Sequence, residues 1–208
     1  MITEQMQLMM EEKVQSLDNR NRIVMSYLCL ARDRRFFRIP EEGRIKLIQS
    51  VLEFGDELAE KIRTEFGTSD PRRIVEAMGL KVVGADKGKR GTLLRRSEYR
   101  PGTKEIIIYR DALNELMREV SAVDLSDRLL KMLIAHELFH HLEHSRLGSV
   151  PKRFRVALWK LGPLTRYLKM RRVSEVAAHA FAETLLDIKQ SPMVFDCLTS
   201  LFYSGRKK

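Results

Sequence analysis

Two histidines one helical turn apart, with a glutamate beside the first, constrain this chain more than any other feature. Residues 135–144 read AHELFHHLEH, in which His136, Glu137 and His140 form H-E-x-x-H. Inside a helix this spacing lets both imidazoles reach one zinc ion while the glutamate stands by as a general base. The surroundings read as helix, DLSDRLLKMLIAHELFHHLEHSRLG, with Asp124 as N-cap and Gly148 as stop. Stepping about 100° per residue, Leu129, Met132, Leu133, His136, Phe139 and His140 share one side, so the histidines continue an apolar stripe. A buried, hydrogen-bonded histidine pair is the alternative reading.

A catalytic zinc site takes three protein ligands and leaves a fourth position open. The candidate for the third is Glu175, on a second helix expected to start at a Thr165 cap and close before Pro192. Glu175 falls on the side of Leu168, Ala178, Ala182 and Leu186, where an unpaired carboxylate is costly to bury. Metal coordination removes that cost, as would a salt bridge to an arginine. His144 is nearer in sequence, but it lies about 12 Å along the axis from His136 at a rise of about 1.5 Å per residue. No glycine breaks the helix between His140 and His144.

The rest of the chain reads as α+β, mainly helical, with a small antiparallel three-stranded sheet. Met10, Val14, Leu17, Val24 and Leu28 mark one apolar face of a first helix. ARDRRFFRIPEEGR breaks that pattern, with Pro40 and Gly43 as punctuation, and a second helix is expected roughly from Glu41 to Phe66. A third runs from Asp70 to Met78, with Asp70 as cap, Pro71 at the first helical position and Gly79 ending it. LKVVGAD, GTLLRRSEYR and KEIIIYRD read as the strands of an antiparallel meander. EIIIYRD is a candidate free edge to which an extended substrate could add as a strand.

The chain has 208 residues, enough for one well-packed domain or one domain with a helical arm. Lys and Arg number 38 against 28 Asp and Glu, a net charge of +10. Residues 146–172 carry nine Lys/Arg and no acid. Such a linker is either a solvated surface or a site for nucleic acid or an acidic protein, with Lys152, Arg153 and Arg155 as candidate contacts. Cys29 and Cys197 read as buried thiols. No apolar run has membrane-spanning length, and Met1-Ile2-Thr3-Glu4 does not open like a signal peptide, so a cytoplasmic location is the expectation.

H-E-x-x-H in AHELFH, followed by E-x-x-A-x-x-F-A-x-x-L-L in EVAAHAFAETLL, resembles the ImmA/IrrE family of zinc-dependent metallopeptidases. The resemblance covers about residues 56–190. It implies a minimal zincin-like core with a gluzincin-type site: His136, His140 and Glu175 as zinc ligands and Glu137 as catalytic base. It also implies an endopeptidase whose substrate is a regulatory protein, such as a DNA-binding transcriptional repressor. On that basis residues 1–40 form an N-terminal helical arm, packed on the rest or paired with a second copy, and 41–208 the metallopeptidase domain. Phe139 stands where the family carries Gly, a change that bears on cleft shape. His179 stands where an Asn is common, and is either a partner that orients a ligand or an ordinary polar substitution. The oxyanion-stabilising side chain is open among Tyr167, His179, Tyr109 and an arginine of the basic linker. The competing reading is a non-catalytic metal-binding regulator that binds DNA or an acidic protein through its basic surface.

Overall fold

The computed structural model describes residues 21–86, 88–90, 93–111, 114, 123–161 and 164–188. Helix α1 occupies 21–31 and a short 3-10 turn follows at Arg34–Arg38, where Asp33 accepts from the Arg35 N–H at 3.0 Å. Leu30, Phe36 and Ile39 are buried in the same core as the later helices. The face of α1 differs from the expected one. Val24 and Leu28 are 55% and 49% exposed, while Ser26 and Leu30 are buried. Arg22 sets the rotation, because its guanidinium reaches Asp56 at 2.7 Å and Glu183 at 2.6 Å, and those two carboxylates fix which side of α1 turns inward. Met10, Val14 and Leu17 lie outside the described residues.

Helix α2 spans Glu41–Phe66 and ends at Gly67, and α3 spans Pro71–Ala77. Asp70 caps α3 by accepting from the Arg72 N–H at 2.9 Å, and Pro71 occupies the first turn, where no amide donor is needed. Strand β1 (Lys81–Ala85) follows, then the short pair β2 (Lys89–Arg90) and β3 (Leu93–Leu94), β4 (Ser97–Arg100) and β5 (Glu105–Tyr109).

The three-stranded sheet is mixed, not antiparallel throughout. Its order is β1-β5-β4, with β1 parallel to β5 and β4 antiparallel to it. The reason is visible in β5: Ile106, Ile107, Ile108 and Tyr109 are all buried, so this strand takes the centre, where both faces are covered. In β1, Lys81, Val82, Val83 and Gly84 are exposed, which suits an edge.

Helix α4 (Val123–Leu142) carries H-E-x-x-H. Its first described residue precedes Asp124, so the expected cap lies within the helix. At Leu142 the α-helix widens into a π turn, Glu143–Leu147, and Gly148 stops it with φ +71°, a left-handed value that glycine adopts without a Cβ clash. A short α5 (Val150–Arg153) follows.

The next segment corrects the helical reading from Thr165. Val156–Leu161 (β6) and Leu164–Leu168 (β7) pair antiparallel as a two-stranded sheet of their own, and the last helix, α6, begins at Arg172 and ends at Leu186. Leu164, Thr165 and Tyr167 sit opposite Leu161, Lys160 and Ala157, and pairing the two strands satisfies more backbone than an isolated helical turn would. Leu168, expected on the helix, ends β7 and is buried.

Helices α2 and α6 pack so closely that a Cβ on Gly55 would fall 2.6 Å from the Ala177 carbonyl and 2.7 Å from Ala180 Cβ. Gly55, Ala177 and Ala180 therefore let the two backbones touch, and α6 is held with Glu175 turned toward α4. Among the described residues no helix is long and apolar enough to cross a membrane.

Candidate metal centre

Helix α4 supplies His136, Glu137 and His140, and α6 supplies Glu175. The Nε2 atoms of His136 and His140 lie 3.2 Å apart. Glu175 Oε2 is 3.4 Å from His136 Nε2, and Glu175 Oε1 is 3.8 Å from His140 Nε2. Ligand atoms about 2.0–2.1 Å from a tetrahedral zinc ion stand roughly 3.3 Å from one another, so the three groups already have nearly that spacing. All the candidate ligand atoms fall within 4.8 Å of one another. His144 is exposed and lies outside this group, with its ring 6.4 Å from that of Tyr99.

No protein-family model, curated protein or solved structure matches this chain. The assignment of the centre therefore rests on its own residues.

Glu143 is the residue that sequence reading missed. It lies 3.4 Å from His140 Nδ1, takes the Ser174 hydroxyl as a donor on the same oxygen, and accepts the Val150 N–H at 2.9 Å on the other. The tautomer of His140 protonated at Nδ1 donates to Glu143 and turns the Nε2 lone pair toward Glu175 and His136. A carboxylate behind a ligating imidazole raises its basicity and fixes its ring. Burial pushes the Glu143 pKa up, but the bonds from His140, Ser174 and Val150 outweigh it and leave Glu143 below its ordinary value. The i, i+3 spacing from His140 was legible; Ser174 and Val150 come from elements that only the fold brings near.

Glu175 is subject to the same competition more strongly. Burial raises its pKa, and the hydrogen bond and charge of His136, with the charges of His140 and His179, bring it down to about 2. Its side chain is 44% exposed, facing into the cleft, so the carboxylate is both ionised and open to an incoming cation.

Glu137 is 5% exposed, and its Oε1 accepts the Ser97 hydroxyl at 2.7 Å. Ser97 belongs to β4, so the sheet holds the glutamate of the motif. His179 is buried beside His136, ring centroids 4.7 Å apart. These groups line a cleft of about 380 Å³ with Leu129, Met132, Leu133, Tyr99, Arg95 and Arg96. Tyr99 also bonds His141 Nδ1 through its hydroxyl at 2.8 Å. Ser97 and Tyr99, two residues apart, share one face of a strand, but which face met the cleft was not readable locally.

Two sequence expectations change and a third narrows. Phe139 does not shape the cleft: it is fully buried, packed edge-on to Phe54 at 6.5 Å and against Phe181 at 5.9 Å. The stripe on α4 thus splits, with Leu129, Met132, Leu133 and the two histidines on the cleft and Phe139 in the core. EIIIYRD offers no free edge, since β5 is paired on both sides; β4 is paired on one side only among the described residues. Of the oxyanion candidates, His179 lines the cleft, whereas Tyr167 and Tyr109 do not. Lys152, Arg153 and Arg155 are also away from the cleft; Arg153 stacks over Phe54 at 4.6 Å and Arg155 over Tyr167 at 4.1 Å.

Proposed function

We propose that this chain is a zinc-dependent endopeptidase acting in the cytoplasm. One observation carries the reading: two imidazole nitrogens and a carboxylate from separate helices stand at ligand spacing, with a buried second carboxylate, Glu137, in the same cleft. A purely structural metal site has no use for that glutamate. Bound zinc would supply Lewis-acid activation of a water and of a carbonyl oxygen. His136, His140 and Glu175 would hold it, with His140 oriented by Glu143.

The remaining steps belong to the chain's own side chains. Glu137, steadied by Ser97, takes the proton from the attacking water on a carboxylate oxygen and delivers it to the leaving amine. An extended peptide can add to the edge of β4 that is unpaired among the described residues, where Ser97, Glu98 and Tyr99 line the cleft. Leu129, Met132 and Leu133 then offer an apolar wall to one of its side chains. The family resemblance suggests a regulatory protein, such as a DNA-binding repressor, as substrate.

Elemental analysis of the purified protein should find one zinc per chain, and the protein should cleave candidate repressors. Glu137→Gln should retain zinc and fold while losing hydrolysis by about 10²–10⁴-fold, because an amide cannot take the proton. Cleavage by Glu137→Gln at the parent rate would remove the peptidase reading.

A further inference from the structure

The positive charge of this chain is concentrated on one segment. Residues 146–172 hold nine Lys/Arg and no acid, against a net charge of +10 for the whole chain, so the rest is close to neutral. Part of this charge is engaged within the fold: Arg146 pairs with Glu65 at 2.9 Å, and Arg153 and Arg155 stack on Phe54 and Tyr167. Lys152, Arg166, Lys169 and Arg171 are exposed and pair with no acid among the described residues. Arg166 lies on β7, Lys169 and Arg171 follow that strand, and Lys152 lies just before β6.

On β7 described side chains are also uncovered. β6 and β7 form a sheet separate from β1-β5-β4, and on β7 Leu164 is 66% exposed and Tyr167 43%. A two-stranded ribbon alone is marginally stable; here the Arg155 guanidinium over Tyr167 and buried Leu168 anchor its base, leaving the strands free to meet a partner.

We propose that the β6–β7 ribbon is a nucleic-acid-binding surface that takes the phosphate backbone of duplex DNA. A segment with nine cations and no acid suits a partner of uniform negative charge. A two-stranded ribbon fits the major groove, which is about 12 Å wide, and Arg and Lys beside it reach the flanking phosphates. A membrane surface fits less well, because Leu164 and Tyr167 are the only large hydrophobics exposed on the ribbon among the described side chains. The surface is independent of the metal centre and stands whether or not the cleft hydrolyses peptides.

The test is fluorescence anisotropy of a labelled duplex of random sequence, titrated with full-length protein between about 50 and 200 mM NaCl. The parent protein should bind, with affinity falling steeply as salt rises. Replacing Lys152, Arg166, Lys169 and Arg171 together by Ser should make the log-affinity against log-salt slope shallower by about 3–4, at about 0.9 for each phosphate that is no longer neutralised. The same charge removed at exposed Lys46, Lys61, Arg73 and Lys81 should leave the slope nearly unchanged. Circular dichroism and zinc content serve as fold controls. Equal loss in both variants, no duplex binding by the parent protein, or binding to phosphatidylserine vesicles but not to duplex would each overturn the proposal.

Discussion

The Ser97 hydroxyl donates to Oε1 of Glu137 across 2.7 Å, tying edge strand β4 to the proposed general base on α4. Ser97→Ala should leave zinc content and stability nearly unchanged and reduce kcat of peptide hydrolysis by about tenfold, with little effect on KM. A loss of that size corresponds to about 1.4 kcal/mol of transition-state stabilisation. An unchanged kcat would show that Glu137 holds its position without this bond.

Glu175 and His144 make a paired comparison. Glu175→Ala removes the only carboxylate in the three-ligand group, whereas His144 is exposed and outside it. Zinc titration should show tight binding abolished in Glu175→Ala and nearly intact in His144→Ala. The opposite order would refute the ligand assignment.

Removing the carboxylate behind His140 should weaken the site without emptying it. Glu143→Gln is expected to lower zinc affinity by about 10–100-fold, the usual cost of losing a ligand's hydrogen-bond partner. Competition with a chromophoric chelator measures it, and affinity equal to the parent's would mean that Glu143 only organises the turn around Val150 and Ser174.

The α3 cap is a pH-dependent contribution remote from the cleft. Asp70 lies below its ordinary pKa of 3.8, chiefly through the hydrogen bond from the Arg72 side chain, with burial opposing and the Arg72 N–H assisting. A depressed folded-state pKa means that the stabilisation is present above the unfolded value and is lost as pH falls through the folded one. Asp70→Ala should therefore cost about 1 kcal/mol at pH 7, with the deficit shrinking below about pH 4. Urea melts at neutral and acid pH report this; a deficit constant across that range would mean that the ionised cap is not what stabilises α3.

Local sequence determined the features set by neighbours along the chain. Gly148 and the Asp70-Pro71 cap are stated by residues one to three positions away, as is the placing of His136 and His140 one turn apart on α4. Helix α2 runs from Glu41 to Phe66, the bounds expected for it from the sequence. Tertiary structure decided what depends on distant partners. Val24 and Leu28 look like a buried face until Arg22 meets Asp56 and Glu183. Phe139 looks like part of the cleft until Phe54 and Phe181 close on it. LTRYL can be written as helix or strand, and pairing with Val156–Leu161 made it a strand. β5 sits between β1 and β4 because its apolar run needs cover on both faces, a demand no strand meets alone. The site divides in the same way: the residue types and spacing on α4 and the candidacy of Glu175 come from sequence, while the meeting of Glu175 with the histidines, of Ser97 with Glu137 and of Ser174 with Glu143 came from α6 and β4, because only packing brings groups so far apart in the chain within bonding distance.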